Sequence, residues 1–253
     1  MALRIFAAAA FAFLYIPIIT LVVYSFSEAR YFTFPPVGFS FKWYVTLFED
    51  RELLQSVRNS LIVTGIVVPA TLALGIPAAF AIDRFDFPGK AIFERVVLLP
   101  LMVPGVITGL AILLVIKGVD MRLSLTTVAI GHTVGWLPIV VTQVYARLRR
   151  FDRRLEEASM DLGGNRRQTF LRITLPGIKN AIIGSALLVF TLSFDEIGMT
   201  FFLTGTQNTL PMFIWSMLRE GVSPEINAVA TITIAISIVL IVVGLRFLGK
   251  EKD

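Results

Sequence analysis

Across 253 residues, 56% are hydrophobic and only 16% charged, with a mean hydropathy of +0.79. A soluble domain has roughly 45–50% apolar residues, so the expected solvent is a lipid bilayer. Cysteine is absent, which excludes disulfides, thiolate metal sites and cysteine nucleophiles. The net charge of +5 would suit nucleic acid, but the basic residues collect in particular loops instead of lining one face, so no nucleic-acid partner is expected.

Six apolar runs approach or exceed the ~20 residues that cross ~30 Å of hydrocarbon: about 5–26, 60–82, 96–116, 124–145, 181–203 and 228–247. The expected fold is an all-α integral membrane protein of six transmembrane helices, forming one domain over residues 1–253. The first run is followed by Ser27-Glu28-Ala29-Arg30 instead of a small-residue cleavage site, so it reads as a retained span. Lys and Arg number 1, 3, 9 and 3 in the N-terminus, second loop, fourth loop and C-terminus, against 4, 2 and 1 elsewhere. By the positive-inside rule both termini are cytoplasmic.

The outer segment before the second run carries Phe34-Pro35-Pro36 and then Trp43, Tyr44 and Phe48, which predicts a helix at headgroup level. Pro100 and Pro104 in the third run and Pro138 in the fourth each delete a backbone donor and are expected to bend their helices. Gly105-x-x-x-Gly109 and Gly131-x-x-x-Gly135 allow close approach of helices, although such spacing is frequent by chance. His132 is the only histidine; a proton relay is conceivable chemistry, but a hydrogen-bonded interior group is the commoner role, and one ligand makes no metal site.

The topology puts residues 147–179 in the cytoplasm with nine of the basic residues. Leu155, Ala158, Ser159 and Leu162 recur at helical spacing, and Gly163-Gly164 supplies a stop. Asn165 can cap a second short helix over residues 166–174, with Phe170 and Ile173 on one side and Arg167, Gln168 and Arg172 elsewhere; Pro176 is expected to end it. Two short helices joined by glycines make a compact knob. An amphipathic hairpin lying on headgroups would show the same spacing.

Glu157-Ala158-Ser159, then Gly163, then Ile173, Thr174, Leu175 and Pro176 resemble the Glu-Ala-Ala loop of ATP-binding cassette importer permeases, with serine replacing the second alanine. The likeness covers nearly the whole chain and is nearest to the C-type permeases of spermidine/putrescine importers. It includes Tyr15-Ile16-Pro17, Gly38-Phe39-Ser40, Phe190 to Glu196, Gly221-Val222-Ser223-Pro224-Glu225 and Asn227-Ala228. The resemblance implies a type I importer fold in a bacterial inner membrane. It implies that Glu157, Ala158, Ser159, Gly163, Phe170, Ile173, Leu175 and Pro176 form a coupling helix and its support, seated on an ATPase dimer that binds Mg-ATP. It further implies a second permease, a B-type paralogue, and an extracytoplasmic solute-binding protein. No cofactor is expected in this chain.

Of eighteen acidic residues only Asp195 and Glu196 fall inside an apolar run. A bare carboxylate there costs roughly 2.5–3.5 kcal/mol on insertion scales, so it should face a wet cavity or a partner. On a continuous helix the two would point about 100° apart, one to the solute pathway and one to a neighbour; Asp195 is the choice for the pathway. A polyamine could be drawn there by charge and by cation–π contact with Phe194, Trp215 or Tyr145. A structural ion pair or a gate latch would also explain the acids, and the resemblance extends to importers of opines and aminophosphonates. No Gly-x-x-x-x-Gly-Lys-Ser/Thr and no hydrolase or metalloprotease motif occurs, so neither ATP hydrolysis nor other enzyme chemistry is expected here. A carrier driven by an ion gradient is the remaining rival, and only the knob separates the two.

Overall fold

The computed structural model describes residues 1–29, 33–221 and 224–249, so Arg30, Tyr31, Phe32, Val222, Ser223 and the tail 250–253 lie outside the described residues. The order is α1 (Ala2–Tyr24), α2 (Lys42–Glu49), α3 (Arg51–Arg84), α4 (Lys90–Met102), α5 (Gly105–Gly118), α6 (Leu125–Arg149), α7 (Arg154–Asp161), α8 (Arg166–Thr169), a π turn (Phe170–Thr174), α9 (Leu175–Phe194), α10 (Thr200–Leu203), α11 (Leu210–Glu220) and α12 (Pro224–Gly249). No strand occurs among the described residues. The expected all-helical class is the observed one.

Among the described residues four stretches are long and apolar enough to cross a bilayer: α1, α3, α6 and the unbroken run Arg166–Phe194. A fifth arises if α4 and α5, bent by 114° at their junction, count as one broken span. The apolar part of α12, Pro224–Val239, is shorter. The prolines divide in their effect. Pro69, Pro77 and Pro138 sit inside continuous helices, whereas Pro104 starts α5 after Val103 has turned extended at φ −101°, ψ 130°, the conformation a following proline favours.

Two compact units can be distinguished, Met1–Arg58 with Thr209–Leu240 and Asn59–Asn208 with Ile241–Asp253. In the first, the segment around α2 folds onto the end of α1. Trp43 Nε1 donates to the carbonyl of Ser27 at 2.7 Å, the Ser25 and Tyr44 hydroxyls lie 2.7 Å apart, and Phe26 stacks on Phe39 at 5.0 Å. Trp43 is buried while Phe48 is exposed. α11 buries Leu210, Met212 and Phe213 and leaves Trp215 partly exposed.

The second unit holds the core. Val63, Val67, Ala79 and Ile82 of α3 meet Val128, Val140, Val141, Val144 and Leu148 of α6, Ile178 and Val189 of α9, and Met199 and Leu203. Small residues decide how close these elements come. A methyl on Gly109 would lie 2.8 Å from the Met199 Cα, one on Gly135 2.8 Å from its thioether, and one on Gly131 would meet Leu203. Both spaced glycine pairs therefore contribute to one seat, occupied by residues 199–203.

Two expectations are corrected. Pro176 does not end the helix over residues 166–174, because that helix runs on through the π turn into α9. A proline breaks a helix when its ring meets the carbonyl four residues back. In the wider turn the Leu175 N–H donates to the Phe170 carbonyl five residues back, which relaxes that crowding. The run 181–203 is likewise not one helix: α9 stops at Phe194, and helix resumes only at Thr200. The Glu196 side chain accepts the Met199 N–H at 2.8 Å and Thr200 Oγ1 donates to the Glu196 carbonyl at 2.9 Å, local bonds that compete with the helical ladder.

Candidate functional site

The knob at residues 147–179 is built by capping chemistry. Gly163 adopts φ +87°, which glycine reaches without cost, and ends α7. Asn165 and Gln168 then form a reciprocal capping box, at 2.9 and 3.0 Å, that starts α8. Ser159, the departure from alanine, turns its hydroxyl to Thr169 Oγ1 at 3.0 Å, and a methyl on Gly164 would lie 2.7 Å from the Ser159 carbonyl. The two helices thus touch where both residues must be small.

The predicted residues of this segment divide between two faces. Glu157, Ala158, Gly163 and Pro176 are exposed, and Ser159, Ile173 and Leu175 are half-buried. Leu162 is 90% exposed, a large apolar side chain with nothing of its own chain over it. Phe170 stands edge-on to Phe80 of α3, centroids 5.6 Å apart. On the inner side Arg84 Nη2 donates to Glu156 Oε1 at 2.9 Å, and Arg153 Nη2 to Asp83 Oδ2 at 3.0 Å. The motif drew attention to Glu157 and passed over Glu156, the acid that meets α3.

The acidic pair lies at the break after α9. Asp195 is the C-cap residue at φ −100°, ψ 7° and is exposed, while Glu196 is partly buried. Because the helix has ended, a 100° helical offset does not describe them. Glu196 Oε1 caps Met199, and a methyl on Gly105, at the start of α5, would lie 3.2 Å from the same oxygen. The breaks of two spans therefore meet at one carboxylate. No salt bridge among the described residues reaches either acid.

Phe194 is buried and its ring stacks on Phe190 at 5.8 Å. Tyr145 is half-buried against the core, and Trp215 belongs to the other compact unit. His132 is 1% exposed; its Nδ1 lies 2.9 Å from Ser193 Oγ and its Nε2 2.9 Å from Thr200 Oγ1. It bridges the two sides of the break, a role invisible without the partners 61 and 68 residues away. Among the described residues no three His, Asp or Glu side chains gather to hold a metal.

A family model described as "Binding-protein-dependent transport system inner membrane component" matches residues 71–249. The chain belongs to that family. It is 37% identical over 250 residues to the spermidine/putrescine transport system permease protein PotC of Escherichia coli (strain K12), covering 98% of this chain and 93% of that protein. It is 38% identical over 252 residues to the putrescine transport system permease protein PotI of the same strain, covering 96% and 89%. The fold matches, with a TM-score of 0.70 at 18% identity, a chain of a bacterial ABC transporter involved in import of the acidic polysaccharide alginate, covering 100% of this chain and 95% of that one. The chain is thus a transport permease of a membrane complex and not an enzyme, as the motif likeness implied.

Proposed function

We propose that this permease forms half of a solute pathway in a bacterial inner membrane, with six spans, both termini cytoplasmic and one permease domain over its length. Its motion is driven by an ATPase dimer that holds Mg-ATP and grips the knob at residues 147–179. A sister permease of the B type supplies the other half, and an extracytoplasmic binding protein delivers the solute. The observation that carries this reading is the outer face of the knob, where the exposed Glu157 and Ala158 and the bare Leu162 stand on a helix fastened from behind to α3. A rigid apolar tip with an acid beside it suits insertion into a cleft, and different contacts in two ATPase states would bias two states of the bundle.

The proposed solute is a small polyamine, as in the names of the relatives PotC and PotI. Asp195, exposed and outside any salt bridge of the described residues, is the carboxylate that would meet a cation. Glu196 has its carboxylate committed to the backbone at Met199 and holds the break open. Phe194, buried and stacked on Phe190, would act from behind as packing.

The test is uptake by the complete reconstituted complex, with ATP depleted at constant membrane potential. Loss of uptake supports the ATP-driven reading; uptake that follows an ion gradient with the knob deleted overturns it. Titrating putrescine, spermidine, an opine and an aminophosphonate against the cognate binding protein decides the solute, and tight binding of only the anionic compounds removes the polyamine assignment.

A further inference from the structure

The joint behind the knob is ionic, and its geometry goes beyond what the coupling motif describes. Asp83, next to last in α3, has a fully buried side chain. Its Oδ2 accepts from Arg153 Nη2 at 3.0 Å and forms an ion pair with Arg84 Nε at 3.2 Å, and Arg153 Nη2 also reaches the Asp83 carbonyl at 3.2 Å. Arg84 extends to Glu156 Oε1 at 2.9 Å, and the Thr174 hydroxyl donates to that same oxygen. A continuous chain of polar bonds thus runs from α3 through α7 to the π turn of the Arg166–Phe194 helix.

Two features distinguish this chain from a solvated surface pair. Asp83 Oδ1 is buried with no partner among the described residues, so the carboxylate depends on its two guanidinium groups for compensation, and separating them would strand a buried charge. Glu156 also serves both spans with one oxygen, so α3 and the Arg166–Phe194 helix cannot move apart while it holds both. Apolar helix faces can slide past one another, whereas charge-assisted bonds of fixed geometry resist displacement.

We propose that Asp83, Arg84, Arg153 and Glu156 form a rigid joint that delivers motion of the knob to α3 and to the Arg166–Phe194 helix together. They are positioning residues, acting through the spans and not on solute or nucleotide. The proposal rests on the reading of the knob as the ATPase contact. A knob whose joint is cut should still dock and still permit ATP hydrolysis, but its displacement would no longer open the pathway.

The test uses the complete complex in lipid vesicles and reads ATP hydrolysed per solute taken up. The chain has no native cysteine, so Asp83→Cys/Arg153→Cys introduces its only two thiols. Without a cross-link this pair is expected to raise the ratio about tenfold while ATP hydrolysis continues. A short bifunctional thiol reagent should bring the ratio back to near that of the unaltered complex. Normal coupling before cross-linking, or no recovery after it, overturns the joint. Arg153→Gln, at a half-exposed position, runs in parallel and should raise the ratio in the same direction; an unchanged ratio in that variant also overturns the proposal. ATP-driven uptake by the unaltered complex is measured alongside, and its absence would defeat the reading of the knob itself and not merely the joint.

Discussion

The knob and the break after α9 both interrupt a helical path, yet they are secured by different chemistry. The knob is tied to α3 by guanidinium and carboxylate groups, with Asp83 buried and Arg153 half-exposed. The break is tied by neutral donors and close contact: His132 between Ser193 and Thr200, Glu196 on a backbone N–H, and glycines of α5 and α6 against Met199. Near water, charged pairs can be satisfied and still leave the opposite face exposed. Inside hydrocarbon a salt bridge is costly to assemble, and the structure there spends its polar groups on repairing a broken ladder. The contrast leaves one acid without such a duty, the exposed Asp195, which is why the proposed solute contact falls there.

Substitutions can sharpen or break that contrast. The largest effect is expected from Glu157→Arg on the outer face of the knob. ATP-dependent uptake should fall about a hundredfold, equivalent to roughly 2.7 kcal/mol, while the thermal midpoint of the purified subunit stays unchanged because the side chain is exposed. A variant that transports normally would detach the knob from driving. His132→Leu should do the reverse, lowering stability by ~2 kcal/mol because the buried Ser193 hydroxyl loses its partner; thermal unfolding in a lipid nanodisc reads it. An unchanged midpoint would mean that the break does not depend on that bridge.

Asp195→Asn tests the free carboxylate. The Michaelis constant for polyamine uptake should rise about tenfold, or ~1.4 kcal/mol, with stability unaltered; unchanged uptake would remove Asp195 from the pathway. The smallest effect is expected from Gly163→Ala. A side chain at φ +87° strains the backbone by roughly 1 kcal/mol, so the knob should fray and uptake fall modestly. Proteolytic sensitivity of residues 161–166 would report that fraying directly.

Much of this was legible from the chain. The helical class follows from composition, because backbone groups in a bilayer must be satisfied within the segment. The knob was legible because its determinants are neighbours: Gly163 ends one helix, Asn165 and Gln168 start the next, and each acts within one turn. Even the serine in the motif could be ranked as small, though its bond to Thr169 could not be foreseen.

The failures share one cause. Pro176 was expected to stop a helix, and residues 181–203 to form one, because local rules assume the α-helical ladder; a π turn in one case and capture of the Met199 N–H by Glu196 in the other replaced it. The sequence by itself determined that the chain is helical, belongs in a membrane and carries a capped knob of two short helices, since these depend on composition and on residues within a few positions of one another. Only the tertiary structure decided that Asp83 meets Arg153, that His132 bridges the break, and that two pairs of glycines seat the same segment. Those partners lie about 60 to 90 residues apart in the chain, and they meet because burial of the apolar faces of α3, α6 and α9 brings them together.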